Sequence, residues 1–292
     1  MLDTVVNVDA GDSKTKLLSD SRLEMSFQLN PEQRSYLSEQ YFTYPFHVCR
    51  AQYMDKSLPG MVTMYLQSCS GGVFKGDRLA TVIDVAEGAQ VHVTTQASTI
   101  IHRMEEDFAH QTIEINCAEG ALVEYLPNSI ILFPEAKLRS SITVTRDPGC
   151  DVILCDAFLT HDPEGSEKPF GWLENELIVQ NHEGDIEIID RFHVTGDQFR
   201  TGETGKPNPY TVHGTFAVLS DPANAQQLLE VLRACPVLDG DIFSGISSLS
   251  NDVGCWVRFL AVDGISADKY AQSLWFAARE ALTGHPPTKR RK

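Results

Sequence analysis

The stretches IDVAEGAQVHV at residues 83–93 and INCAEGALVEY at residues 115–125 are two versions of one pattern. In each, an alternating run breaks at Ala-Glu-Gly and a second alternating run follows. TVTRDPGCDVI at residues 143–153 and IVQNHEGDIEI at residues 178–188 repeat the layout of strand, acidic turn, glycine, strand. Period-2 alternation marks strands with one buried face, and glycine supplies the positive φ that a tight turn requires. The turn glycines Gly88, Gly120, Gly149 and Gly184 follow one another at 32, 29 and 35 residues. Recurrence on that scale predicts stacked units sharing one continuous core. Separate hairpins, each with its own acidic-Gly turn, are the alternative.

Working outward, the same alternation predicts strands at residues 62–66, 112–115, 151–158, 211–219 and 256–262. Two helices interrupt them. One begins at Asp221-Pro222 and presents Leu228, Leu229 and Leu232 before Cys235-Pro236. The other is read as capped by Ser266, with Tyr270, Leu274, Ala277, Ala278 and Ala281 on one face and Gly284 as its stop. The fold class is therefore all-β, a strand-rich β-superhelix of stacked sheets with two covering α-helices. No linker divides the 292 residues, so a single domain is expected. The ending, Pro-Pro-Thr-Lys-Arg-Arg-Lys at 286–292, is expected to be a solvated basic tail.

Composition narrows the function. Forty acidic against 24 basic residues give a net charge of −16, which repels a phosphate backbone and argues against nucleic acid as a partner. No apolar run approaches the ~20 residues of a membrane helix. The first residues carry Asp3 and Asp9 where a signal peptide needs positive charge, and the seven cysteines include no CxxC pair. A reducing, cytoplasmic location with buried thiols is expected. The sequence has no GxSxG elbow, no GxxxxGK[ST] loop and no HExxH. The nine histidines show no HxH or HxxxH spacing, so they outline no metal cage.

Aspartates in apolar strands are the sharper signal. Asp156 interrupts the run 152–158, and Asp190 follows the run 186–189. A carboxylate there is costly unless it is paired, hydrated or coordinating. An arginine such as Arg191 would account for Asp190 simply, whereas Asp156 fits pairing and an internal polar feature equally. As a pair, the two could also serve as acid and base of a stacked-β carbohydrate hydrolase. A plain interaction module is a third reading.

SGGVFKGDRL at 70–79, EGAQVHVTTQASTIIHR at 87–103 and EGALVEYLPNSIILFPEAKL at 119–138 occur in order at a spacing that resembles the urease accessory protein UreD (UreH) family. LCDAFLTHDPEGSEKPFGWLENELIV at 154–179 and WFAAREALTGHPP at 275–287 match more loosely, so the resemblance covers about residues 44–287. The chain departs from the family pattern at Ile100-Ile101-His102, after Leu159 and in its basic ending. The resemblance implies a non-catalytic maturation factor that binds a UreF-type protein, and through it a UreG-type GTPase. It also implies docking on the urease apoprotein and transient passage of nickel through a hydrated tunnel. By motif, tunnel-lining positions fall on Asp77, Ser98 and Thr99, with Asp156 and Asp190 as further members. The nickel contacts among these would be Asp77, Asp156 and Asp190.

Overall fold

The computed structural model describes residues 21–201, 209–237 and 240–289. Two sheets face each other across a shared core. The first has seven strands: β1 (Ser21–Leu29), β2 (Ser35–Phe42), β5 (Arg78–Val85), β8 (Ala109–Cys117), β11 (Lys137–Arg146), β13 (Trp172–Gln180) and β14 (Ile186–Thr195). The second has ten: β3 (Phe46–Val48), β4 (Val62–Ser68), β6 (Gln90–Thr95), β7 (Ile100–Ile101), β9 (Leu122–Tyr125), β10 (Ile130–Leu132), β12 (Asp151–Thr160), β15 (Val212–Leu219), β16 (Ile242–Ser248) and β17 (Gly254–Ala261).

Successive strands alternate between the sheets and pair in parallel with the strand one coil earlier. Thus β5, β8, β11 and β13 run parallel in one sheet, while β4, β6, β9 and β12 do so in the other. This is the stacked superhelix expected from the sequence. Its corners are the repeated glycine turns. Gly88, Gly120 and Gly149 have φ of 67°, 66° and 76°, and the Gly88 N–H donates to the Glu119 carbonyl of the next coil at 3.0 Å. A Cβ on Gly120 would lie 4.0 Å from the Gly88 backbone, so these turns stand directly upon one another.

Gly184 breaks the series. It closes the antiparallel hairpin of β13 and β14, with nothing within 4 Å of its Cβ position. The fourth occurrence of the repeat is thus a hairpin that ends the coil. Antiparallel strands also finish the second sheet, with β12, β15, β17 and β16 in that order.

At the other end the fold extends beyond the stretch that resembles the family. β1 pairs in parallel with β5 and buries Leu23, Met25 and Phe27 in the core, while β2 closes the sheet edge. Residues 21–42 are thus part of the folded core, and residues 1–20 lie outside the described ones.

The helices are α1 (Gly196–Thr201), α2 (Ala225–Arg233) and α3 (Gly264–Thr283). Helices α2 and α3 cover the outer face of the second sheet, where Leu228, Leu232, Tyr270 and Leu274 pack on Ile153, Phe216 and Val257. The short α1 was not anticipated. Asp263, not Ser266, caps α3, and its carboxylate accepts from the Ser266 N–H at 2.7 Å. Gly284 ends α3 in the left-handed region, as expected. The start of the tail is held: Pro287 is buried, and Thr288 Oγ1 accepts from Lys56 N at 2.8 Å. The solvated reading of the tail is thereby corrected for Pro287 and Thr288, while Pro286 and Lys289 are exposed and 290–292 lie outside the described residues. None of the described helices is long and apolar enough to cross a membrane.

Candidate functional site: a polar layer between the sheets

Alternation sends every second side chain into the space between the sheets. Most are apolar, including Ile113, Ile142, Leu177, Val152, Leu154 and Ala217. Two residues further along the strands the chemistry changes. On the first sheet Gln111, Ser140 and Asn175 stand side by side in register. On the second, Asp156, Thr215 and Arg258 do the same. Each shares the parity of the core residues beside it, so both rows face inward. Beyond them the interior is apolar again, with Leu138, Phe158 and Leu173 in a second cluster. A polar layer is therefore held between two hydrophobic ones.

Two contacts cross this layer. Asn175 Nδ2 donates to Asp156 Oδ2 at 2.6 Å, and Arg258 Nη2 lies 2.6 Å from Asp190 Oδ2. Burial pushes the Asp156 carboxyl up; the Asn175 hydrogen bond lowers it, and the charge of Asp190 raises it further. Burial also pushes the Tyr125 phenol up, helped by the charge of Asp156. The charge of Asp190 thus acts on the Asp156 carboxyl.

The layer opens into a cavity of about 440 Å³ lined by Ser98, Thr99, Gln111, Asn128 and Asp156. Exposed Ser68, Cys69 and Gln96 stand at its outer end. Asn128 is fixed there by Thr95, whose carbonyl accepts from Asn128 Nδ2 at 2.7 Å. At the opposite side, Asp190 and Arg258 retain side-chain exposures of 24% and 40%, so the layer meets solvent there too.

Asp77 lies elsewhere. Its carboxylate accepts from the Phe74 N–H at 2.8 Å and closes the loop after Gly72; it is not among the residues lining the cavity. Ser98, Thr99 and Asp156 are brought together in one cavity, whereas Asp190 lies outside it on the facing sheet, in register with Leu177 and one inward row from Asn175. The Asp190 partner is Arg258, while Arg191 pairs with Glu176. Among the described residues no three His, Cys, Asp or Glu side chains converge to hold a metal ion.

The sequence profile of the UreD urease accessory protein matches residues 19–292. The chain belongs to the UreD urease accessory protein family. It is 37% identical over 268 residues to the urease accessory protein UreD 1 of Pseudomonas syringae pv. syringae (strain B728a), covering 92% of this chain and 94% of that one. It is 35% identical to UreD 1 of Methylorubrum populi (strain ATCC BAA-705 / NCIMB 13946 / BJ001), covering 88% of this chain and 86% of that one. It is 31% identical to UreD 3 of Bradyrhizobium sp. (strain ORS 278), covering 89% and 90% of the two chains.

A second polar cluster in this UreD-family chain went unanticipated. Glu124 is fully buried on the outer face of the second sheet, under α3. Its carboxylate takes His92 Nδ1 at 2.6 Å, Trp275 Nε1 at 2.5 Å and Arg279 Nε at 2.7 Å. Arg279 Nη1 continues to Asp55 Oδ2 at 3.0 Å. Burial alone would push the Glu124 carboxyl up, yet the hydrogen bonds and charges of His92 and Arg279 bring it down to about 2. The signal in the sequence was a glutamate inside the apolar run ALVEYL, whose partner Arg279 lies 155 residues away. This cluster ties α3 and the Asp55 loop to the sheet and is a matter of fold.

Proposed function

We propose that this UreD-family chain is a non-catalytic scaffold in urease maturation. It links a UreF-type protein, and through it a UreG-type GTPase, to the urease apoprotein, and the polar layer between its sheets is a path for nickel toward the urease active site. The observation that carries this reading is Asp156, a carboxylate that the surrounding strands would bury in apolar core. It sits instead in a cavity beside hydroxyl and amide groups, with Asp190 on the facing sheet one inward row away, in register with Leu177.

The chemistry of the donors suits passage. Carboxylate, hydroxyl and carbonyl oxygens are harder ligands than thiolate or imidazole and hold Ni²⁺ less tightly. Strung along a layer, they attract a divalent ion without enclosing it. Asp156 and Asp190 are the proposed nickel contacts, and Ser98 and Thr99 line the way in. Asp77 shapes the loop near the mouth, since its carboxylate is already engaged in a turn. The ion is cargo here and leaves with the partner.

Capture tests the scaffold. A tagged chain should retain both the urease apoprotein and a UreF-type protein, and the UreG-type GTPase only when the UreF-type protein is present. A Thr99→Trp variant should keep those partners while lowering the nickel content of the matured urease several-fold. Failure to retain the urease apoprotein would remove the scaffold reading.

A further inference from the structure

We propose that Arg258 is a displaceable counter-ion that occupies the nickel path when no nickel is there, and so sets how readily the layer releases the ion. The inference rests on the nickel-path reading above and adds to it the group that competes with the cargo.

Asp156 and Asp190 belong to opposite sheets, Asp190 one inward row from Asn175, and the Arg258 guanidinium pairs with Asp190. The charge of Asp190 acts on the Asp156 carboxyl, and a cation paired with Asp190 reduces that repulsion. Arg258 Nη2 supplies that cation at 2.6 Å from Asp190 Oδ2. Asn175 gives Asp156 a hydrogen bond and no charge. A divalent ion entering the layer therefore meets Asp190 already taken.

Arg258 is also built to leave. Its side chain is 40% exposed and that of Asp190 24%, and an ion pair so open to water holds weakly. The guanidinium lies 5.9 Å from the ring centroids of both Phe192 and Trp256, at the outer limit of cation–π attraction, so the rings do not lock it. Swinging outward puts the charge in solvent, where water replaces the half-exposed ion pair at small cost. Nickel and guanidinium then exchange on one carboxylate: the ion enters as the arm swings out, and the arm returns as the ion moves on. Such exchange keeps the path neutral enough to stay folded when empty and keeps nickel from being trapped when full.

Calorimetric titration of the full-length chain with nickel chloride tests this, with melting temperature as a check of fold. Arg258→Gln should tighten the Asp156-dependent nickel binding roughly twofold to fivefold, the factor that a partly exposed ion pair accounts for. Arg258→Lys, which keeps the charge, should stay near the original affinity, and Arg258→Gln/Asp156→Asn should lose the gain. Should the Gln variant fail to fold, Arg258→Met keeps the stem beside Phe192 and Trp256 and answers the same question. If Arg258→Gln binds nickel no more tightly while Asp156→Asn still abolishes binding, the counter-ion role is wrong and the path stands. If nickel binding depends on Asp156 in none of the variants, both are wrong.

Discussion

Asn175 reaches from the first sheet and donates to the Asp156 carboxylate of the second at 2.6 Å, so each sheet contributes a polar group to the space that should be its core. Such a bond does not repay the burial of a charge on its own; burial still pushes the Asp156 carboxyl up. A folded-state pKa raised above the unfolded one means that the native state holds its proton more tightly. Stability is then lost as pH rises from the ordinary carboxylate range toward the folded pKa, and stays lower above it. Asp156→Asn should therefore raise thermal stability at neutral pH by on the order of 1 kcal/mol while impairing nickel delivery. Melting curves of the two proteins at pH 7 check it.

Glu124 gives the opposite sign. Its carboxyl is held at about 2, well below its ordinary range near 4.5. The stabilisation is complete above the unfolded pKa and disappears as pH falls from about 4.5 to about 2. Denaturant titrations across that window should show the loss, and Glu124→Gln should flatten it. Arg279→Met should cost about 3–5 kcal/mol at neutral pH, because it leaves the buried Glu124 charge without its guanidinium.

The stacked turns offer a test of the coil itself. Gly120 has φ of 66° and stands against Gly88. Gly120→Ala should cost about 1 kcal/mol by forcing an L-residue into the left-handed region, with little effect at the unstacked, exposed Gly165 beyond its own φ cost. Chemical denaturation of both variants separates the local cost from any loss of stacking.

An exposed edge suggests how the chain behaves alone. The stretches 62–66 and 130–133 are poor in charge, but β4 and β10 are paired inside the second sheet. The vulnerable edge is β16, whose sequence IFSGISS carries no charge and leaves Phe243 61% exposed. Uncharged edges invite pairing with other chains. Phe243→Lys should raise the soluble yield of the isolated chain, measured by light scattering after concentration.

Much of the fold was legible because its signals are local. The turns at Gly88, Gly120 and Gly149 carry φ requirements that a short window reveals, and the alternation around them marks the strands. Gly184 carries the same local signal yet closes a hairpin, because a turn alone does not say whether the next strand pairs forward or back. β1 alternates fully, with Leu23, Met25, Phe27 and Leu29 against Glu24, Ser26 and Gln28, and was overlooked, whereas β16 lacks alternation and becomes a strand by antiparallel pairing with β17. The site was half legible. Asp156 and Asp190 stood out as carboxylates in apolar runs, but their partners Asn175 and Arg258 come from other strands, 19 and 68 residues away. Only the register of two sheets brings those together. Asp77 matched a motif and turned out to close a loop, since a turn aspartate and a path aspartate look alike in sequence.

The central claim is that nickel passes between the sheets beside Asp156. The direct measurement is the nickel content of urease, by mass spectrometry of the purified enzyme, after maturation with the unaltered chain, with Asp156→Leu and with Asp84→Leu. Asp84 is an exposed carboxylate that accepts a hydrogen bond from Asn116 Nδ2 at 2.7 Å, and it serves as the control. With all three chains still captured by the urease apoprotein, the expected result is a several-fold loss of nickel with Asp156→Leu and none with Asp84→Leu. Equal nickel content in all three preparations would contradict the account.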